Sequence, residues 1–105
     1  MSDKTTKIIS ELKYKDKIFH FKYPIRIFLE HDAESGESYY TYPRWGLWGF
    51  GTSLRDALDD FADSLDFAWE EYALCNGSVK MTDGAINLKQ ELLQEVTVKT
   101  NKKNV

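Results

Sequence analysis

Few residues in this sequence are able to do covalent or metal chemistry. The chain holds two histidines, His20 and His31, and one cysteine, Cys75. A nucleophile–base pair would have to join Cys75 to His20 or His31, and no spacing supports that arrangement. His20, His31, Asp32 and Glu34 are conceivable as a metal-ligand set, but their spacing matches no metal motif. A single cysteine excludes the zinc patterns as well. The histidines read as surface residues, and Cys75 as a small apolar filler at a helix end. The stretch Gly46-Leu47-Trp48-Gly49-Phe50-Gly51 is rich in glycine. It lacks Gly-x-Gly-x-x-Gly spacing, and no Lys-Ser or Lys-Thr follows it, so turns or close packing explain it better than a phosphate loop. Gly51 and Ser53 precede a helix start, which attracts anions weakly in any protein. The expectation is a non-enzyme with no catalytic, cofactor-binding or metal-binding residues.

Charge and aromatic residues are more informative. The formal net charge of the 105 residues is -3, which argues against a general nucleic-acid binder. That figure averages unlike segments. Residues 1-22 balance to +3, 23-52 to -2, 53-75 to -6 and 76-105 to +2. All fifteen aromatics lie between Tyr14 and Tyr72, so the core is expected there. No apolar run approaches the eighteen or so residues of a membrane span. The polar start, Met1 to Lys7, shows no signal peptide. One cysteine cannot build a disulfide framework within the chain, and a cytoplasmic setting is expected.

The pattern of apolar residues sets out the elements. Ile8 to Lys15 and Ile18 to Tyr23 alternate around the short polar Lys15-Asp16-Lys17, which predicts a β-hairpin. Pro24 cannot donate to a ladder, so it should break or bend the sheet. Ile25, Ile27 and Leu29 then face one way and Arg26, Phe28 and Glu30 the other, as in a half-buried strand. Asp32 to Glu37 is an acidic turn with Ser and Gly. Ser38 to Tyr42 and Leu47 to Phe50 are two further predicted strands.

The period then changes to about 3.6. Leu54, Leu58, Phe61, Leu65, Trp69 and Tyr72 form one stripe, flanked by Ala57, Ala62 and Ala68. Ser53 with Asp56 fits a capping pattern at its start, and Asn76-Gly77 a stop at its end. A shorter helix is predicted from Asp83 to Glu95, capped by Thr82 or Asp83, with Ala85, Leu88, Leu92 and Val96 in a stripe. The expected fold is α+β: an antiparallel sheet of four to five strands with a long helix packed on it and a shorter C-terminal helix. It forms one domain over 8-96 with a core at 23-75. Residues 1-7 are expected to be a tail, and 97-105 a polar, frayed one.

The order of these elements, with particular residues, resembles the HicB-like antitoxin domain. The resemblance rests on Tyr23-Pro24-Ile25-Arg26-Ile27-Phe28-Leu29-Glu30, on Tyr39-Tyr40-Thr41-Tyr42-Pro43, and on Gly51-Thr52-Ser53-Leu54-Arg55-Asp56-Ala57-Leu58. Pro43, Gly46, Gly51, Ser53, Leu54 and Ala57 stand where the family has a strand-ending proline, a glycine turn and a hydroxyl before a leucine-x-x-alanine helix start. It covers about residues 23-75. Trp45-Gly46-Leu47-Trp48 replaces the family's proline-glycine-cysteine stretch, Arg55 stands where an acid is common, and the N-terminal hairpin is an addition. The resemblance implies a partial ribonuclease-H-like fold without catalysis, self-association as a homodimer, and binding of a small basic ribonuclease toxin of the HicA type. A two-metal nuclease would need several carboxylates converging on the sheet, and Glu30 is the only acid on a firmly predicted strand. The family's DNA-binding segments have no counterpart after Gly77, where a single helix is predicted.

The candidate partner-binding residues follow from the second face of the long helix. Asp56, Asp60, Asp63, Phe67, Glu70 and Leu74 cluster opposite the core stripe at one hundred degrees per residue. One reading is a solvated acidic surface with Phe67 covered by the C-terminal helix. The other is a docking face, in which two apolar anchors ringed by carboxylates suit a basic partner. Trp45 and Trp48 lie three apart, so in an extended stretch they point to opposite faces; either both belong to the core, or one does and the other, taken as Trp48, is an interface anchor. Two further functional readings stand beside the antitoxin: a stand-alone homodimeric module with no toxin, and a DNA-binding autorepressor using the basic segments 1-22 and 99-103.

Overall fold

A computed structural model describes residues 2–74 and 82–100. It is an α+β fold. The elements are β1 (Ser2–Tyr14), β2 (Lys17–Asp32), β3 (Ser38–Tyr42), a 3-10 turn (Pro43–Trp45), β4 (Leu47–Gly51), α1 (Leu54–Ala68), α2 (Asp83–Glu95) and β5 (Val96–Thr100). The strands form one antiparallel sheet in the order β1-β2-β3-β4, with β5 beside β2.

β2 organises the sheet. Along one edge it pairs with β1, from Ser2↔Asp32 to Tyr14↔Lys17. Elsewhere its beginning, Lys17 to Phe21, pairs with β5, and Phe28 to His31 pairs with β3. Pro24 sits between these two stretches. There the ladder shifts: Ile9 pairs with Ile25 but Glu11 pairs with His20, so β2 makes a bulge of extra residues around the proline. A residue without an N–H is tolerated where the ladder is already interrupted. The expected bend is therefore present, but as a bulge within a single sixteen-residue strand rather than a break between two.

Two expectations about the ends are corrected. Residues 1-7 were expected to be a tail, yet β1 begins at Ser2, because β2 is long enough to offer its whole edge as a template. The polar segment after Val96 was expected to fray, yet Val96–Thr100 is β5, with Val96 buried and Val98 half-buried. The Val-Thr-Val alternation has the strand period, and β2 supplies its partner. Cys75 and the Asn76-Gly77 stop lie outside the described residues.

The long helix starts as expected: the Ser53 hydroxyl accepts the Asp56 N–H at 3.1 Å. Its buried line is not the leucine stripe alone. Ala57, Phe61, Ala62, Leu65 and Ala68 are buried, whereas Leu54 is 54% exposed. The helix has rolled its small residues onto the sheet, and β4 permits this through its glycines. A Cβ built on Gly49 would stand 2.1 Å from the Phe61 nitrogen and 2.7 Å from the Ala57 carbonyl oxygen. One on Gly51 would stand 2.6 Å from the Asp56 Cβ.

The helix also does not run as a uniform α-helix to Tyr72. Trp69–Ala73 is a π-helical turn, with the Leu74 N–H reaching the Trp69 carbonyl at 3.0 Å. Against that turn packs α2, whose Thr82 hydroxyl caps Ala85 at 3.2 Å and whose Leu92 is fully buried. Arg44 pairs with Glu91 and, at 3.4 Å, with Glu95, tying the β3–β4 connection to α2.

The core lies between the sheet and the helices. Phe19 meets Trp69 edge-on at 6.4 Å, Tyr40 meets Phe61 at 6.4 Å, and Trp45 lies against Phe21 and Tyr42. These offset geometries are the ones aromatic rings prefer.

The close approach of α1 to β4 yields a contrast that equilibrium urea unfolding measures. Gly49→Ala pushes a methyl into helix backbone and is expected to cost about 3 kcal/mol. Gly46→Ala meets no atom within 4 Å but holds φ at +66°, so its expected cost is about 1 kcal/mol. Equal costs at the two positions would contradict the packing described.

Candidate partner-binding surface

The site is built from β4 upward. Along this strand Leu47 and Gly49 are buried beneath α1, so Trp48 and Phe50 must face the other way. Their rings stack at 5.7 Å with 9° between planes, and Phe50 stacks on Tyr39 of β3 at 6.2 Å. Trp48 and Phe50 are 55% and 47% exposed. Of the two tryptophans, then, Trp45 belongs to the core and Trp48 to the surface.

The outer edge of β4 is closed by side chains of α1. The Trp48 N–H donates to the Ser64 hydroxyl at 3.3 Å, and the Phe50 N–H donates to the Asp60 carboxylate at 3.0 Å. An edge strand needs such cover, because unpaired N–H groups invite further strands. The same contacts draw the acidic face of α1 beside the aromatic pair. Between them lies a cleft of about 310 Å³, lined by Trp48, Phe50, Asp60, Asp63, Ser64 and Phe67.

Four of the seven candidate residues are thus brought together: Trp48, Asp60, Asp63 and Phe67. Three are not. Asp56 sits in the first turn of α1 with its N–H on the Ser53 hydroxyl. Glu70 is ion-paired with Lys17, which also holds Asp66 at 2.6 Å. Leu74 is exposed past the π turn, apart from the cleft lining. Phe50 was missed, although its two-residue spacing from Trp48 on a strand was a readable signal.

The charges of α1 therefore divide. On the hairpin side, Lys17 donates to both Asp66 and Glu70, and these bonds hold its ammonium well above the ordinary lysine pKa. On the cleft side, the donors found for Asp60 and Asp63 among the described residues are neutral, the Phe50 N–H and the Tyr14 hydroxyl, with the Lys15 ammonium 5.2 Å from the Tyr14 ring. Neutral donors leave the carboxylate charge uncancelled, so the cleft remains anionic. The Tyr14 hydroxyl is correspondingly raised in pKa, first by its bond to Asp63 and then by burial.

The other chemistry-bearing residues stand apart from the cleft. His31 shares a 2.9 Å bond with the buried Ser38 hydroxyl, and His20 lies 3.7 Å from Glu11. In the acidic turn, Asp32 accepts the Glu34 N–H at 3.0 Å, and this bond with that of Ser35 lowers its pKa. Among the described residues no three His, Cys, Asp or Glu side chains group to hold a metal. No helix among them is long and apolar enough to cross a membrane.

In comparisons with known proteins, no family model matched this chain, and neither did any curated protein or solved structure.

The Tyr14–Asp63 bond ties the hairpin to α1 and carries a pH signature. Because the folded-state pKa is raised, its contribution is full below the ordinary tyrosine value of 10.0 and is lost as pH rises through the raised value. Urea midpoints of wild type and Tyr14→Phe should differ at pH 8 and converge at more alkaline pH. A gap that stays constant would remove the bond from the stability of the fold.

Proposed function

We propose that this protein is a non-enzymatic binding domain that captures a small basic protein through the cleft between β4 and α1. The observation that carries this reading is the cleft itself: stacked, exposed Trp48 and Phe50 beside exposed Phe67, flanked by carboxylates that form no ion pair among those found for the described residues. Exposed aromatics supply the desolvated anchor, and the anionic border speeds encounter with a cationic surface.

The resemblance to HicB-like antitoxins supports a particular partner, a small basic ribonuclease toxin held in a cytoplasmic complex. Occlusion is then sufficient for function, since covering the RNA path of such an enzyme stops it without chemistry by the antitoxin. The strand order adds some support. The three consecutive strands β2, β3 and β4 followed by α1 are the elements on which the resemblance rests. A DNA-binding role draws less support. The register sets Lys13 and Lys99 on either side of Ile18, but two lysines fall short of the basic surface that DNA binding needs.

Affinity capture of the tagged chain from its native host, read by mass spectrometry, should recover a small basic protein. Trp48→Ala is expected to weaken that complex roughly thirtyfold. Asp63→Lys is expected to weaken it further at low salt than at high salt. Recovery of the chain with itself alone, or a complex indifferent to Trp48, would overturn the reading.

A further inference from the structure

The cleft beside β4 has a shape and a charge pattern that select among cations. Its volume is about 310 Å³, at the small end of ligand pockets, which run from roughly 300 to 1,000 Å³. Such a space takes one long side chain rather than a helix or a strand. One wall is aromatic. Trp48 and Phe50 stack with 9° between their planes, so they present flat, parallel rings. Phe67, 62% exposed, lines the cleft from α1.

The other wall carries charge. Asp60 and Asp63 are three residues apart and so are neighbours on the helix surface. Each has one carboxylate oxygen on a neutral donor: Asp60 Oδ2 accepts the Phe50 N–H, and Asp63 Oδ1 accepts the Tyr14 hydroxyl. Their second oxygens, Asp60 Oδ1 and Asp63 Oδ2, take part in no hydrogen bond or ion pair among those found for the described residues. Lys15, whose ammonium stands 5.2 Å over the Tyr14 ring, makes no ion pair among them either.

α1 itself supplies a comparison. On its hairpin flank two carboxylates, Asp66 and Glu70, share one cation, the Lys17 ammonium. The cleft flank repeats the pair of carboxylates and adds an aromatic wall, which changes the cation that fits. An ammonium is a compact, strongly hydrated point charge. A guanidinium is flat and weakly hydrated, and it stacks on aromatic faces while its edge donates to carboxylates. A quaternary ammonium is round and suits an aromatic cage with rings on several sides, whereas parallel rings offer one flat wall.

We propose that the cleft is an arginine site. One arginine of the basic partner lays its guanidinium along the ring face of Trp48 and donates to Asp60 Oδ1 and Asp63 Oδ2. This rests on the reading of the cleft as a docking site for a basic protein, and it names the side chain that enters. Preference for arginine over lysine is then built into the cleft rather than left to net charge.

NMR titration of the full chain with capped Gly-Arg-Gly, Gly-Lys-Gly and Gly-citrulline-Gly peptides tests the proposal, read at the Phe67 amide and the Trp48 indole N–H. The arginine peptide should bind about fivefold more tightly than the lysine peptide of equal charge. It should bind about tenfold more tightly than the citrulline peptide, which keeps the shape without the charge. The double variant Asp60→Asn/Asp63→Asn keeps acceptors for the Phe50 N–H and the Tyr14 hydroxyl. With folding confirmed by circular dichroism, it and Trp48→Ala, read at Phe67, should each lower arginine-peptide affinity about tenfold. Equal affinity for the arginine and lysine peptides, shifts at neither Phe67 nor Trp48, or tighter binding of free L-arginine than of its peptide would each overturn the assignment. A basic protein captured through Trp48 alongside such a result would leave the docking reading standing. An arginine-selective cleft with no basic protein captured would remove that reading alone.

Discussion

The seat of α1 on β4 is the contact from which the other features follow. Gly49 and Gly51 let helix backbone come within van der Waals distance of strand backbone, closer than any side chain would permit. The alanines at 57, 62 and 68 then become the buried line of the helix. At that separation Ser64 and Asp60 reach the outward N–H groups of β4, so the strand edge is closed without another strand. With Gly49 beneath the helix, Trp48 and Phe50 have only the opposite face available. The aromatic pair and the carboxylates beside it thus share one cause, the absence of a Cβ at position 49.

A second set of contacts fixes the hairpin to this unit. Lys17 spans to Asp66 and Glu70, and Tyr14 reaches Asp63. Exposed ion pairs contribute little to stability singly. Their effect here is on direction: they hold the hairpin end of the sheet against the outer side of α1. They also partition the acidic helix into a neutralised flank and an anionic one, a distinction that a count of charges cannot make.

Much of this was legible in the sequence, for identifiable reasons. The capped start at Ser53, the strand Ser38 to Tyr42, the acidic turn and the helix from Asp83 to Glu95 each had a local signal strong enough to survive tertiary packing. What was not legible depended on partners distant in the chain. Val96 looked like the end of a helix stripe and the residues after it like a polar tail, because the strand period of β5 spans five residues and its template lies in β2. Leu54 looked like core because the leucine stripe is a property of the helix alone, whereas the buried line is set by what the helix lies against. Glu70 looked like part of a docking face because its cation, Lys17, is 53 residues away. Phe50 shares its face with Trp48 through the two-residue alternation of β4, a signal weaker to the eye than a pair of tryptophans.

The position of β5 in the sheet has a consequence for the order of assembly. It is the last of these elements along the chain, yet it completes an edge of β2 between Lys17 and Phe21, one of the first to be made. During synthesis β1 to β4 and α1 all precede it, so the segment of β2 beside β5 stays unpaired on that side until Val96–Thr100 has left the ribosome. Pairings of such separation form late because they must overcome the entropy of closing a long loop. This edge of the sheet is therefore completed by a late segment, and a nascent chain halted before Val96 presents a bare strand edge to whatever is nearby.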